Sequence, residues 1–352
     1  MKRTPVAVMG ATGLVGLEFL RRLEDHPLFR VVALTASPRS IGKTLSEILP
    51  REGRAIPFSE ERVLPTDPDL LASRGVRAVF SALPTVQAGE VESRLRERGV
   101  GVFTNASCHR TDPDVPILMA DINPDHLLLA KRQSEAFNGG FIVAGPNCST
   151  AGVVSALRPL ERWRIRGVVA STYQSLSGAG RKGVGALQIL DNLIPFIPGE
   201  EEKMERESRK ILGPLVSTGV LSAPWSLFAR CCRAAVTHGH LISLVVETEE
   251  EADEENVAEA LSSYRSAPQR LGLPSAPPHP LVVCPEEDRP QPRLDREAGG
   301  EGLARGMAVT VGRIRCREGR ISLFLLVNNL VRGAAGTCLL NAELAAAEGL
   351  LV

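Results

Sequence analysis

Val6-Ala7-Val8-Met9-Gly10-Ala11-Thr12-Gly13-Leu14-Val15-Gly16 decides the fold. A short apolar strand runs into a glycine-rich turn. Leu17, Leu20 and Leu23 then recur at helical spacing, and Val31 to Leu34 forms the next strand. This is a βαβ unit with glycines between its first strand and helix. Gly10 permits a tight turn, Gly13 lets backbone approach a pyrophosphate, and Gly16 allows close helix–strand packing. The spacing is GxxGxxG; a purely structural α/β turn is the other reading. The end of the second strand, Thr35-Ala36-Ser37-Pro38-Arg39-Ser40, holds no Asp or Glu. An acidic residue there would bind a ribose diol and repel a 2′-phosphate. Hydroxyls, Arg39 and nearby Lys43 offer donors and positive charge instead, which favours NADP over NAD. A solvated loop would use the same residues.

Further along, Ala78 to Pro84 reads as a parallel strand ending in a loop that faces the cofactor. A helix is expected from Val86 to Arg98 and another strand from Val100 to Thr104. Arg110 follows that strand on the ligand side and suits phosphate or carboxylate, or else a surface ion pair. Pro146-Asn147-Cys148-Ser149-Thr150 then sits between the strand-like run Phe141 to Ala144 and a helix carrying Val153, Val154 and Leu157. A cysteine at such a turn meets unpaired N–H groups and the positive end of the helix dipole. Both favour thiolate, the nucleophilic form. A nucleotide site plus a reactive thiol points to thioester redox chemistry at a carbonyl carbon.

The totals set bounds. The chain has 352 residues, a soft argument for two domains, and 43% hydrophobic residues, enough for two cores. Lys plus Arg and Asp plus Glu both number 41, so no basic excess advertises nucleic acid, and 4% aromatics make base-stacking platforms improbable. Seven cysteines occur at 108, 148, 231, 232, 284, 316 and 338 with no CxxC, and no spacing resembles a zinc site; no metal is expected. No apolar run approaches the roughly 20 residues needed to cross a bilayer, and the start leads into the glycine motif rather than a cleavage site. A soluble cytoplasmic protein with no membrane partner is expected.

The second half reads as mixed. Val168 to Leu176 is strand-like, with Gln174 near its end as a donor to a carboxylate or carbonyl, or as a core-edge side chain. Ser177-Gly178-Ala179-Gly180 supplies a turn. An amphipathic helix begins at Gly199 and reaches about Leu212. Glu200 and Lys203 share one face of it, suiting a zwitterionic substrate or a solvated i,i+3 pair. Arg233 could grip a carboxylate. His240, before the strand Leu241 to Val246, could exchange protons near neutral pH or be structural; His238 is a second candidate. Residues 265 to 306 are proline-rich and read as loop with one strand, Leu281 to Cys284. Met307 to Arg315 and Ile321 to Val327 read as two strands, and Ala334 to Leu351 as a final helix returning to the first domain. The fold class expected is α/β: an N-terminal Rossmann-like parallel sheet plus an α+β substrate and dimerisation domain with a mixed sheet. The boundaries expected are 1–147 completed by 334–352, and 148–333.

The chain resembles the aspartate-semialdehyde dehydrogenases, in the branch shared by archaea and fungi. The resemblance rests on GATGLVG at 10–16, SALP at 81–84, HRTDPDVP at 109–116 and PNCST at 146–150. It continues through YQSLSGAG at 173–180, DNLIPFIPGEEEKME at 191–205, Arg233 to His240, and NNLVRGAAGTCLLNAE at 328–343. It implies NADP-dependent interconversion of L-aspartyl-4-phosphate and aspartate 4-semialdehyde, on the route to lysine, threonine and methionine. It implies Cys148 as nucleophile and His240 as acid–base residue. Arg233, Gln174 and Glu200 would hold the substrate, with Arg110, Asn147 and Lys203 on phosphate. Cofactor contacts would fall on Gly10, Thr12, Gly13, Leu14, Val15, Ser37, Arg39, Ser40, Ser81, Leu83, Ser177, Gly178 and Asn329. Apart from the resemblance, a mixed sheet with helices on one face often buries its other face in a subunit contact, so a homodimer or homotetramer is expected. The chain departs from the family at Ala234-Ala235, where members often read Val-Pro, and at Leu241, where they often carry Thr. A related acyl reductase such as malonyl-CoA reductase is the nearest alternative; a non-catalytic nucleotide sensor is a further one.

Overall fold

Five short apolar runs build the first sheet: β1 (Thr4–Met9), β2 (Phe29–Thr35), β3 (Ala78–Ser81), β4 (Gly101–Thr104) and β5 (Phe141–Ala144). All pair in parallel, in the order β2-β1-β3-β4-β5. Parallel strands are covered on both faces, so they read as continuous hydrophobic runs rather than as alternating ones. One face carries an aromatic chain in which Phe80 contacts Phe19, Phe29 and Phe103, and Phe103 contacts Phe141, with centroids 5.2 to 5.8 Å apart. The other face buries Ala7, Met9, Val79, Val102 and Ile142. This is the parallel Rossmann-like sheet the sequence predicts.

In the computed structural model, which describes residues 3–50 and 56–351, the chain forms two units. Unit 1 is Met1–Leu118, Asp125–Gly145 and Ala335–Val352; unit 2 is Met119–Pro124 and Pro146–Ala334. Residues 1, 2 and 352, at the ends of the expected first domain, lie outside the described residues. The helix Gly336–Ala347 is part of unit 1, where Glu343 meets the buried His26 at 3.0 Å and Asn341 Nδ2 donates to the Leu118 carbonyl at 2.7 Å.

The strand order of unit 1 reverses at β1, which has β2 on one side and β3 on the other. Ligands of open α/β sheets sit at the carboxyl ends of strands at such a switch point. Gly10 and Gly13 lie there. Gly10 has φ +75°, and a Cβ on it would stand 2.6 Å from the Ala82 carbonyl oxygen; a Cβ on Gly16 would stand 2.2 Å from the Gly10 oxygen. Both positions exclude any side chain.

Unit 2 is a six-stranded mixed sheet with a small hairpin, β7 (Leu215–Val216) and β8 (Gly219–Val220). Its strands are β6 (Ile165–Gln174), β9 (Ser226–Arg233), β10 (His240–Thr248), β11 (Leu281–Val283), β12 (Val309–Arg317) and β13 (Arg320–Val327), in the order β11-β12-β13-β10-β6-β9. β10 runs antiparallel to β13 and β6, whereas β6 and β9 are parallel. The helix Cys148–Leu160 lies against this sheet so closely that a Cβ on Gly152 would meet Leu325 at 2.9 Å.

Three local expectations change. β9 is a strand the sequence reading passes over, because exposed Arg230 interrupts its apolar alternation; Leu227, Ala229, Cys231 and Arg233 nevertheless point inward. The proline-rich tract contains the helices Ala267–Leu271 and Pro292–Asp295, each with proline in its first turn. Proline starts a helix readily because its missing N–H is unneeded there. Leu176 lies in a 3-10 turn, Leu176–Ala179, rather than in the strand before it. No helix among the described residues is long and apolar enough to cross a membrane.

Candidate active site

Asn147 sets the geometry around Cys148. It caps the helix Cys148–Leu160, and its Oδ1 accepts from the N–H groups of Ser149 at 2.9 Å and Thr150 at 3.2 Å. Its Nδ2 donates to Glu200 Oε1 at 2.8 Å, and its backbone N–H donates to Glu207 Oε2 at 2.7 Å. Two carboxylates on the helix Glu200–Ile211 therefore anchor the turn that presents the sulfur. Cys148 occupies the first helical position, where backbone dipoles favour an anion. Behind it, a Cβ on Gly333 would come 2.7 Å from Cys148 Cβ, so only glycine lets that segment approach.

His240 opens β10 and is fully buried. Its Nδ1 accepts from the Ser175 backbone N–H at 3.0 Å. A backbone amide can only donate, so the neutral ring carries its proton on Nε2. Nε2 lies 3.2 Å from Cys148 Sγ. Ser175 Oγ also lies 3.1 Å from Nδ1 and donates to Asn329 Oδ1 at 3.1 Å. Asn329 accepts from the Gly239 N–H at 2.9 Å and donates to Ser177 Oγ at 2.9 Å. Burial, then the Arg233 charge, pushes His240 down to about 3. Near-neutral proton exchange, expected from residue type, gives way to a ring held neutral with its N–H on the sulfur.

Arg233 ends β9 and stands opposite Gln174 in register. Its Nη1 donates to the Ser175 carbonyl at 2.7 Å, and burial lowers its pKa from the usual arginine value. Gln174 is buried, with Nε2 on Thr172 Oγ1 at 3.3 Å. Gly178 faces both Arg233 and His240: a Cβ there would stand 2.8 Å from Arg233 Nη1 and 3.2 Å from His240 Nε2. Glu200 is buried, and half-buried Lys203 follows it by one turn with no carboxylate partner among the described residues. His238 lies in the turn between β9 and β10.

The remaining candidates belong to unit 1. Gly10, Thr12 and Gly13 follow β1, and Leu14 and Val15 open the helix Leu14–Leu23, whose first turn carries no acidic residue. Ser37, Arg39 and Ser40 follow β2, with the two serine hydroxyls 3.3 Å apart. Ser81 ends β3, and Leu83 follows in its loop. A glycine-bounded turn at a helix N-terminus, with hydroxyls and a guanidinium after β2, fits a 2′-phosphorylated dinucleotide. Arg110 is buried, with Nε on the Gly145 carbonyl and Nη2 on the Asn105 carbonyl, both at 2.9 Å.

Comparison with known proteins gives a consistent answer. Residues 5–130 match the profile described as "Semialdehyde dehydrogenase, NAD binding domain", and 157–332 match "Semialdehyde dehydrogenase, dimerisation domain". The aspartate-semialdehyde dehydrogenase of Methanothermobacter thermautotrophicus is 42% identical, covering 96% of this chain and 98% of its own. The chain belongs to the aspartate-semialdehyde dehydrogenase family. The fungal member of this oxidoreductase family from Candida albicans, solved with NADP, superimposes with a TM-score of 0.88 at 34% identity, covering 98% of this chain and 99% of its own. Malonyl CoA reductase (NADP) of Metallosphaera sedula is a further relative, 37% identical over 99% of each chain.

Two residues at this dehydrogenase site escape sequence reasoning. Glu207 had a readable signal, since it lies seven residues after Glu200 on the same helix face. Ser175 had none: only the folded turn brings its N–H to a histidine 65 positions away.

Proposed function

We propose that the chain is an NADP-dependent aspartate-semialdehyde dehydrogenase that reduces L-aspartyl-4-phosphate to aspartate 4-semialdehyde, a step toward lysine, threonine and methionine. The observation that carries this reading is the 3.2 Å contact between Cys148 Sγ and an Nε2–H whose tautomer is fixed by Ser175. Cys148 thiolate attacks the acyl carbon, the carbon–oxygen bond to phosphate breaks, and a thioester remains on sulfur. Arg110, Asn147 and Lys203 receive the phosphate. Arg233 grips the α-carboxylate, Gln174 orients the substrate, and Glu200 complements the α-ammonium. Gly10 through Val15, with Ser37, Arg39, Ser40, Ser81, Leu83, Ser177, Gly178 and Asn329, would hold NADPH, which supplies the hydride when bound. After reduction the carbon–sulfur bond breaks and its electrons return to Sγ. The His240 N–H then faces the regenerated thiolate.

Unit 2 leaves Val169 and Phe228, adjacent in register, exposed on one sheet face with Tyr173, and Leu187, Leu190 and Phe196 exposed in the segment after β6. A second copy of the chain covering these residues gives the homodimer or homotetramer, and light scattering after gel filtration reads its mass. A cytoplasmic location belongs to the same reading.

The relationship to malonyl CoA reductase supplies the decisive assay. Aspartate semialdehyde with phosphate and NADP should turn over efficiently, and malonyl-CoA with NADPH poorly; the reverse result would overturn the substrate assignment. Cys148→Ser should abolish turnover while NADP binding persists.

A further inference from the structure

Unit 1 contains a second group of reactive side chains, away from Cys148 in the sequence and unused by the chemistry above. Glu92, Cys108 and His109 place one carboxylate oxygen, one sulfur and one ring nitrogen within 4.8 Å of one another. Glu92 is fully buried on the helix Thr85–Glu97, while Cys108 and His109 lie in the loop after β4. His109 Nδ1 stands 2.8 Å from Asp112 Oδ2. That contact puts the ring proton on Nδ1 and leaves a lone pair on Nε2. Nε2 is buried without a hydrogen-bond partner, on a residue only 7% exposed, and it faces Glu92 Oε2 at 3.6 Å, too far for a hydrogen bond. Cys108 Sγ lies 3.9 Å from the same oxygen.

These separations suit a shared cation. A tetrahedral zinc with bonds of about 2.0 to 2.3 Å spaces its ligand atoms about 3.3 to 3.6 Å apart. The outer partners are also in place. Asp112 orients the imidazole, as carboxylates do behind metal-bound histidines, and Thr104 Oγ1 donates to Glu92 Oε1 at 2.7 Å. We propose that Glu92, Cys108 and His109 bind a zinc ion, with water as the fourth ligand. The donor set of one sulfur, one nitrogen and one oxygen excludes magnesium and calcium and suits zinc. Burial raises the Glu92 carboxyl, and burial with the Glu92 charge raises the Cys108 thiol to about 11. A dication offsets both effects and displaces the thiol proton to solvent. The ion would staple the helix Thr85–Glu97 to the loop that continues into Arg110. Sequence spacing hides the site, because Glu92 lies 16 positions before Cys108.

The test uses full-length Cys148→Ser protein, stripped by chelation, so that the catalytic thiol cannot contribute. Cobalt(II) titration should saturate at one ion per chain with a thiolate-to-cobalt charge-transfer band, and zinc should displace it. Cys108→Ser should abolish the band, and His109→Gln should weaken binding at least tenfold. Free zinc a hundredfold above Kd should raise the unfolding midpoint by about 4 °C. If Cys108→Ser does not fold, zinc protection of Cys108 from iodoacetamide, read by peptide mass spectrometry, replaces it. Absence of a thiolate band, a band that survives Cys108→Ser, or unprotected Cys108 in saturating zinc would each overturn the proposal.

Discussion

Replacing Gly178 with alanine should damage catalysis far more than folding. The added methyl carbon would lie 2.8 Å from Arg233 Nη1, 3.1 Å from His240 Cε1 and 3.2 Å from His240 Nε2. An ordinary contact needs about 3.5 Å, so the guanidinium would have to retreat by about 0.7 Å and the ring by about 0.4 Å. Neither moves freely. Arg233 is tied to the Ser175 carbonyl at 2.7 Å, and His240 to the Ser175 N–H at 3.0 Å. A misplacement approaching 1 Å costs up to about a hundredfold in rate. We expect kcat/KM for aspartate semialdehyde to fall about 30- to 100-fold, equivalent to about 2 to 2.7 kcal/mol of transition-state stabilisation. Gly178 is exposed and its φ is not positive, so the melting temperature should change by no more than about 2 °C. Gly180→Ala is the control, since a Cβ there meets nothing within 4 Å but φ is +75°. It should lower stability by about 1 kcal/mol while kcat/KM holds. Steady-state kinetics with separate KM values for NADP and semialdehyde, alongside thermal melts, make the comparison. A Gly178→Ala enzyme within twofold of the parent would refute the idea that Ser175 locks both partners in place.

Ser175→Ala removes the hydroxyl but keeps the N–H that fixes Nδ1. It should cost about 1 kcal/mol, or five- to tenfold in kcat, with the Nε2–H tautomer unchanged by nitrogen-15 NMR; a loss beyond a hundredfold would show that the hydroxyl governs the ring. His240 should stay neutral between pH 8 and pH 5, and a ring-proton NMR midpoint near 6.5 would contradict its burial. The fold depresses its pKa, so the unfolded chain takes up the proton first. This contribution to stability is present above about 6.5 and falls away as pH drops toward 3. Asp121 and Arg332 are fully buried and paired at 2.8 Å, so Asp121→Ala should destabilise unit 2 by about 3 to 5 kcal/mol in urea melts; a loss under 1 kcal/mol would mean the pair is dispensable.

Much of this was legible from local signals. The Gly10–Gly16 turn is readable because only glycine tolerates its φ and its close contacts, and Cys148 because a strand end and a helical run are contiguous. β9 was hidden because Arg230 and Phe228 point outward where the apolar count expects a break. The neutral state of His240 was hidden for a deeper reason. Residue type supplies the ordinary imidazole pKa, whereas burial and the neighbouring Arg233 exist only after β6, β9 and β10 pair. Ser175, similarly, acts through its backbone, and a backbone N–H leaves no signature in a sequence.

The chain passes between its two units at residues 118/119, 124/125, 145/146 and 334/335. This connectivity has a consequence for the order of events at the ribosome. The strands of the nucleotide unit precede in the chain the helix that supplies Glu343 to His26, 317 positions after it. Its sheet can pair early, but its core stays open until that helix has emerged. A nascent chain stalled before residue 335 should therefore remain protease-sensitive in its amino-terminal part, however long it waits.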